Sequence, residues 1–346
     1  MLGFKKWVLS AVFFTAVAGL HAAPRDPIDV RLSVPSPVLK GDVDVVVTVT
    51  VTNNSRNAVS LLKSQLPTGS LEGPLFRITR NDERVAYQGR VVKRATPQAA
   101  DAVRLEPGAT LNYDVELTAG YDLSQNGRYT IEYVSRGRHG DAVSLGSEPL
   151  YLWLEERSTP AIVAAVAPVQ SLAVTTASLA FSSCSASRQT TIKSAITSAT
   201  SYATSANTYL SATPALTQRF KKWFGSSTSR WATVKSHFAA TEDAFKNKAV
   251  TVDCSCTETD TYAYVYPTQP YKIYVCGAFW SAPLTGTDSK GGTLIHEMTH
   301  FNAVASTDDW AYGQSAAAAL AISNPTRAVD NADSHEYFAE NTPALP

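Results

Sequence analysis

Residues 289–300 read SKGGTLIHEMTH and contain an H-E-x-x-H motif. On a helix, residues four positions apart share a face, so the imidazoles of His296 and His300 can bind the same metal ion. Zinc lowers the pKa of a bound water toward neutrality, and the neighbouring carboxylate of Glu297 can accept the proton that is released. The apolar residues around the motif indicate that this helix is buried. The segment therefore predicts the zinc site of a hydrolase.

A catalytic zinc site needs a third protein ligand and one open position. The metzincin motif would require glycine at 303 and histidine at 306, where this sequence has Ala303 and Ser306, so that class is excluded. The residues alone leave two kinds of third ligand open. These are an acid from a downstream helix, as in gluzincins (Glu336 or Glu340), and an acid in the turn after the motif (Asp308 or Asp309).

Residues 306–313, STDDWAYG, resemble the G-T-x-D-x-x-Y-G segment of the aspzincins, the family of deuterolysin and the peptidyl-Lys metalloendopeptidases. The resemblance implies that Asp309 is the third zinc ligand and that Tyr312 assists catalysis. A tyrosine hydroxyl at that place can donate a hydrogen bond to the oxyanion of the tetrahedral intermediate. Asp308 is then a residue of the turn. Ser306 replaces the family's glycine, so a positive φ there would carry a modest steric cost.

Residues 331–341, NADSHEYFAEN, resemble the family's C-terminal stretch N-A-D-x-x-E-Y-F-A-E-N. In the peptidyl-Lys members, the Asp and the second acid of this stretch line the pocket for the lysine on the carboxyl side of the cut. The resemblance assigns these roles to Asp333 and Glu336, whose carboxylates would attract an ammonium group by charge and hydrogen bonds. Spacing alone would favour a solvated helix face for this pair. We expect His335 to be exposed between the acids.

The cysteines all follow residue 180, and an even number in an exported chain predicts disulfides. They are Cys184, Cys254, Cys256 and Cys276. Because Cys254 and Cys256 are too close to pair with each other, two connectivities are open. These are Cys184–Cys254 with Cys256–Cys276, and the crossed alternative. The order and spacing of the cysteines resemble those of the aspzincins, which implies the first.

The N-terminal residues 1–23 are typical of a secretory signal peptide. Lys5 and Lys6 precede an apolar run, residues 7–20, that is short for a membrane span, and small residues follow at the cleavage position. We therefore expect a secreted protein without a membrane span, the alternative being an N-terminal membrane anchor.

Domain organisation follows from length and patterning. The 346 residues predict two domains, and a formal net charge of zero argues against a nucleic-acid partner. Residues 24–156 alternate apolar and polar in short runs between turns, as in VDVVVTVTV at 43–51, which predicts an all-β immunoglobulin-like sandwich. We interpret it as a propeptide that inhibits or chaperones its own enzyme. Residues 157–178 are a predicted linker or processing region, and residues 179–346 an α+β zincin-like protease domain.

These features together predict a secreted zinc endopeptidase that acts as a monomer, with one Zn²⁺ per chain, on protein and peptide substrates. It would prefer lysine on the carboxyl side of the cut and be made as a zymogen, an arrangement that secreted bacterial aspzincin exotoxins resemble. Two alternatives stay open. One is a gluzincin-type protease with Glu336 as third ligand, and the other is a secreted β-sandwich binding protein with a structural zinc site.

Maturation poses a separate problem, because the sequence has no lysine between Lys93 and Lys193. A strictly lysine-directed enzyme cannot cut itself within the predicted linker. Either another protease releases the mature domain, or self-cleavage accepts other residues at a tethered site of high local concentration. We favour a tolerant cut near residues 165–180.

Overall fold

The computed structural model describes residues 27–95, 97–135, 143–158 and 178–346. The predicted signal peptide and residues 159–177 of the predicted linker lie outside these ranges. The described residues form two hydrophobic cores, one built from the N-terminal region and one from the C-terminal region. No helix within the described ranges is long and apolar enough to cross a membrane.

The N-terminal region is rich in β-strands, as predicted. Its strands are β1 (Ile28–Ser33), β2 (Val38–Lys40), β3 (Val46–Asn53), β4 (Val59–Leu62), β5 (Phe76–Arg80), β6 (Glu83–Val85), β7 (Val91–Arg94), β8 (Ala102–Leu105), β9 (Thr110–Glu116), β10 (Gly127–Ser135), β11 (Leu145–Gly146) and β12 (Leu150–Glu155).

Most of these strands belong to sheets of the N-terminal region itself. One sheet has the order β1-β3-β9, a second has the order β2-β12-β10-β5-β6 with β11 beside β10, and β4 pairs with β8. In β3 the alternate residues Val47, Val49 and Val51 are fully buried, which is the period-two pattern read from the sequence. The immunoglobulin-like type of sandwich stays a prediction.

The C-terminal region is α+β, as predicted, and its sheet contains one strand from the N-terminal region. Its own strands are β13 (Leu179–Ser182), β14 (Val250–Asp253), β15 (Thr261–Val265) and β16 (Lys272–Val275), in the order β13-β14-β16-β15-β7. Strands β13, β14 and β16 run parallel, β15 runs antiparallel to β16, and β7 runs antiparallel to β15. Strand β7 thus covers what would otherwise be an open sheet edge.

The helices pack on this sheet and on one another. They are α1 (Ala186–Leu210), α2 (Gln218–Phe224), α3 (Trp231–Asn247), α4 (Gly277–Ser281), α5 (Lys290–His300), α6 (Gln314–Ser323), α7 (Pro325–Val329) and α8 (Ala332–Glu340). Helix α1 buries alanines at Ala195, Ala199 and Ala203, and these small side chains let it pack closely against α3 and α5. As a result, α5 is buried along its whole length.

The disulfides are Cys184–Cys254 and Cys256–Cys276, the pairing that the family resemblance implies. The first joins the carboxyl ends of the neighbouring parallel strands β13 and β14. In the chain-entropy view, closing loops with separations of 70 and 20 residues stabilises the fold by about 4 and about 3 kcal/mol respectively.

Candidate active site

Helix α5 carries the H-E-x-x-H motif into the interior. Its N-cap is Ser289, whose Oγ accepts a hydrogen bond from the amide of Gly292 at 2.9 Å. A β-carbon at Gly292 would overlap the Glu340 carboxylate and lie 3.0 Å from Cγ of Glu336, so this glycine permits α5 to approach α8 closely. The close packing buries the motif completely.

Three potential ligand atoms converge next to α5. The Nε2 atoms of His296 and His300 are 3.1 Å apart, and they lie 3.2 and 3.5 Å from Oδ1 of Asp309. Two ligands of a tetrahedral zinc ion with bonds of 2.0–2.1 Å are separated by about 3.3 Å. The observed separations bracket that value, and two imidazoles with one carboxylate are a donor set that zinc accepts. The residues therefore fit a zinc ion.

Polar groups on the far side of each ring face both Nδ1 atoms. His300 donates from Nδ1 to the carbonyl of Thr307 at 2.6 Å, and Nδ1 of His296 lies 2.8 Å from Oδ1 of Asp333. With both Nδ1 atoms protonated, both Nε2 lone pairs face the common point near Asp309. Such outer partners set the tautomer and basicity of metal-binding histidines.

The local field favours a cation beside Asp309. Burial disfavours the charged form of both rings, and in His300 it lowers the pKa to about 4. In His296, burial acts in the same direction, but the attraction of the Asp309 carboxylate outweighs it and the pKa is raised well above its ordinary value. The pKa values of the two rings therefore shift in opposite directions, and the Asp309 carboxylate is the group that attracts positive charge here.

Asn331 holds the turn that carries Asp309. Its side-chain Oδ1 accepts hydrogen bonds from the amides of Trp310 and Ala311, both at 2.9 Å, and Asn331 is fully buried. Asn331 had no predicted role, although it is the first residue of the stretch 331–341 that resembles the family. Its position makes it the residue that fixes the backbone next to the third candidate ligand.

The turn between α5 and Asp309 contains the backbone strain that was predicted from the serine at position 306. Ser306 has a φ of 52°, in the left-handed region that glycine adopts more easily. Asp308 belongs to the same turn, and its Oδ2 lies 3.4 Å from Nη2 of Arg84 in the N-terminal region. Asp309, not Asp308, is thus the acid that lies next to the two Nε2 atoms.

Glu297 lies beside this cluster on α5. It is fully buried, and neither carboxylate oxygen has a hydrogen-bond partner within the described ranges. Burial raises the pKa of Glu297 to about 8, which makes its carboxylate a stronger proton acceptor than an exposed one. A buried carboxylate without a protein partner is suited to exchange a proton with a reacting group.

Asp333 and Glu336 project from α8 into a second, adjacent cluster. There, Nζ of Lys93 on strand β7 lies 3.1 Å from Oδ1 of Asp333 and 2.6 Å from Oε2 of Glu336. All three side chains are buried, and the rings of Tyr262 and Tyr337 lie 5.5 and 6.0 Å from the ammonium. The arrangement is a closed pocket that holds one lysine side chain.

Charges within this pocket depend on one another. Burial opposes ionisation of Asp333, but the Lys93 ammonium lowers the pKa of this carboxyl to about 2. In Glu336, burial outweighs the same ammonium and the pKa is raised. The pocket therefore needs a cation to hold its carboxylates in the charged form.

Glu336 lies on the opposite side of His296 from the convergent ligand atoms. Its Oε2 is 3.4 Å from Nδ1 of His296, whereas Asp309 and His300 face Nε2 of the same ring. The geometry therefore favours Asp309 over Glu336 as third ligand.

The hydroxyl of Tyr312 lies between the two clusters. It is 2.6 Å from Oδ2 of Asp309 and 2.6 Å from the carbonyl oxygen of Val92, the residue before Lys93. Its single proton can be donated to only one of these acceptors at a time. A tyrosine hydroxyl thus faces the carbonyl that precedes the pocketed lysine.

The expectation that His335 is exposed is wrong. His335 is fully buried, donates from Nδ1 to the carbonyl of Asn331 at 3.0 Å and has its Nε2 3.0 Å from Nδ1 of His237. Burial lowers the pKa of His335 to about 3 and that of His237 to about 4, so both rings are neutral. Helix α8 is packed on all sides, which spacing along one helix does not reveal.

A buried H-E-x-x-H helix, an acid in the following turn and an unpartnered glutamate are the features of a metalloendopeptidase. The profile of a family described as "Lysine-specific metallo-endopeptidase" matches residues 209–340. An extracellular protease of Aeromonas hydrophila is 39% identical over 95% of this chain and 96% of its own length. The peptidyl-Lys metalloendopeptidase of Grifola frondosa is 35% identical over 97% of this chain and 99% of its own length. The chain belongs to the aspzincin family, whose members are zinc-dependent metalloendopeptidases.

A solved structure, that of a zinc peptidase from Grifola frondosa, aligns with 47% identity and a TM-score of 0.46. The alignment covers 47% of this chain and all of that one. The binding-protein alternative is set aside, since the relatives over the full length are proteases.

Proposed function

We propose that this chain is a secreted zinc endopeptidase that cuts on the amino side of lysine. One observation carries the proposal. The lysine held by Asp333 and Glu336 is directly preceded by the carbonyl that faces Tyr312, beside the three convergent ligand atoms. A peptide that placed a lysine in this pocket would present the bond before that lysine to the catalytic groups.

The chain's own residues supply the parts that hydrolysis requires. His296, His300 and Asp309 would hold the metal. When bound, a zinc ion supplies Lewis acidity that lowers the pKa of water and polarises a carbonyl. Glu297 accepts a proton from the attacking water and returns it to the amide nitrogen that leaves. Tyr312 donates a hydrogen bond to the carbonyl oxygen as negative charge develops there.

The edge of β15 that β7 covers would align the substrate. Strand β7 pairs with this edge in antiparallel fashion, and an extended peptide substrate can make the same main-chain hydrogen bonds. Main-chain pairing is independent of side chains, so selectivity falls to the lysine pocket. A neutral side chain there would leave the carboxylates of Asp333 and Glu336 buried without a counter-ion, which costs several kcal/mol.

Peptide pairs that differ at one position test the proposal. Peptides with lysine, arginine, methionine or glutamine after the same residue are incubated with the matured enzyme, and the products are identified by mass spectrometry. We expect cleavage before lysine, loss of all cleavage with a chelator, and recovery with zinc. Cleavage that is indifferent to lysine, or that survives the chelator, would contradict the proposal.

The same proposal includes an exported precursor. Residues 1–23 would be the signal peptide, residues 24–156 an immunoglobulin-like propeptide, residues 157–178 the linker, and residues 179–346 the enzyme. The full-length similarity to an extracellular protease supports export. The position of β7 on the edge of β15 supports inhibition, since no external peptide can pair with an edge that is already covered.

A further inference from the structure

Strand β7 lies in the active site in the manner of a substrate. Val92 is paired with Tyr264 and Lys93 with Ala263 of β15. Three separate features agree in this register, namely the antiparallel pairing, the ammonium in the acidic pocket, and the Val92 carbonyl at the Tyr312 hydroxyl. A segment that merely blocked the cleft would need none of them, and a substrate would need all three.

Salt bridges hold β7 extended at both ends. Before the strand, Arg90 is paired with Glu258 of the protease region at 2.8 Å and also with Glu72 of the N-terminal region. At its end, Arg94 is paired with the same Glu72. Val92 itself is 1% exposed. The Val92–Lys93 bond is therefore held in a fixed conformation at the catalytic groups, which is the geometric condition for an efficient intramolecular reaction.

We propose that Val92–Lys93 is a self-processing site, the peptide bond that the enzyme hydrolyses in its own precursor. The inference rests on the proposed function, since it uses the same pocket and catalytic groups. The oxygen of one water joins the carbonyl carbon of Val92, and the bond from that carbon to the Lys93 nitrogen breaks. Glu297 takes one proton from the water and passes it to that nitrogen, which leaves as an amine. The new carboxyl group of Val92 then gives up the second proton of the water, and this proton charges the amino terminus of Lys93.

This cut nicks the N-terminal region without releasing it. It separates β1–β6 from β8–β12, yet β3 stays paired with β9, and β5 with β10, across the cut. The nick divides β7 in its middle and gives each half a free end, so that both halves can leave the edge of β15 and admit other peptides. Lys93 is also the last lysine before Lys193, so a lysine-directed enzyme has no later self-cutting site ahead of its catalytic domain. The tolerant cut near residues 165–180 would follow as a second step.

The test uses the full chain. Wild-type and Glu297→Ala precursors are purified with a chelator and then given zinc, and their fragments are identified by intact mass and N-terminal sequencing. We expect a new amino terminus that begins Lys-Arg-Ala-Thr at residue 93 in the wild type and none in Glu297→Ala. The rate constant should not change on tenfold dilution, because the bond and the catalytic groups lie in one chain.

Two lysine variants provide the matched comparison. Lys93→Ala should remove the new terminus, whereas Lys63→Ala, at an exposed lysine of the same region, should cut as the wild type does. If Lys93→Ala fails to fold, comparison of the wild type with Glu297→Ala still shows whether the enzyme itself cuts the Val92–Lys93 bond.

An added lysine-containing peptide, assayed on the same preparations, separates this inference from the proposed function. If the peptide is cut before lysine while Val92–Lys93 stays intact, or if that bond is cut at a rate that depends on dilution, the self-processing site is wrong. If no preparation cuts the peptide before lysine, the proposed function itself fails.

Discussion

Replacing Lys93 by methionine tests how strongly the acidic pocket depends on its lysine. The change keeps an unbranched side chain, shorter by one atom, but removes the charge that lies 2.6 Å from Glu336 and 3.1 Å from Asp333. Removing one partner of a buried ion pair costs about 3–5 kcal/mol, because the remaining charges stay buried and unpaired. Burial alone would raise the pKa of Asp333, but the Lys93 ammonium acts against it and the pKa is lowered to about 2, so the pair stabilises the charged carboxylate.

Because the pKa of Asp333 is lowered on folding, the pH at which the free energy of unfolding is measured matters. A carboxyl whose pKa is lowered on folding stabilises the fold above its ordinary pKa, and that stability is lost as the pH falls through about 2. At pH 7 the contribution is complete. Urea denaturation at that pH, in a Glu297→Ala background that prevents self-cutting, should give a free energy of unfolding about 3–5 kcal/mol lower for Lys93→Met. The control Lys63→Met, at an exposed position, should change it by less than about 0.5 kcal/mol. Equal effects of the two changes would refute the role of the pocket.

Three further outcomes are expected. Tyr312→Phe should keep its zinc and lower kcat on the order of a hundredfold, the usual effect of removing one oxyanion donor, as measured on a lysine peptide. Asp309→Ala should lose zinc in metal analysis, whereas its neighbour variant Asp308→Ala should retain it; the reverse result would exclude Asp309 as a ligand. Burial lowers the pKa of His237 to about 4, so the unfolded chain binds more protons between pH 6.5 and 4, and stability falls as the pH drops. His237→Gln should make that fall shallower by up to about 1.4 kcal/mol per pH unit in urea titrations, and an unchanged slope would show that His237 does not titrate in this way.

The features predicted from the sequence are those in which a few neighbouring residues determine the geometry. His296 and His300 share a helix face because of their spacing, and they face each other at 3.1 Å. Val47, Val49 and Val51 alternate with polar residues, and their alternate burial follows from the pleat of a strand. The lysine pocket was predicted on different grounds. The spacing of Asp333 and Glu336 alone favoured a solvated helix face, whereas the family resemblance favoured a pocket.

Contacts between distant segments account for what the sequence did not reveal. Lys93 meets Asp333 and Glu336 across 240 and 243 residues, and no local pattern distinguishes its strand from the other strands of the N-terminal region. His335 was misjudged for a related reason. Spacing describes one face of α8, but burial of the whole helix depends on neighbours that lie far away in the chain.

Asp333 connects the lysine pocket to the candidate metal site through a single atom. Its Oδ1 accepts a hydrogen bond from Nζ of Lys93 and lies 2.8 Å from Nδ1 of His296, while its Oδ2 accepts a hydrogen bond from the amide of Gly313 at 2.6 Å. A lysine in the pocket thus stabilises the charged form of the carboxylate that orients a candidate ligand histidine. When the pocket holds a neutral side chain, burial disfavours that charge, and the attraction between the Asp333 carboxylate and the His296 ring weakens with it. Under the proposed function, selection of lysine would therefore affect the arrangement of the catalytic groups as well as the binding of the substrate.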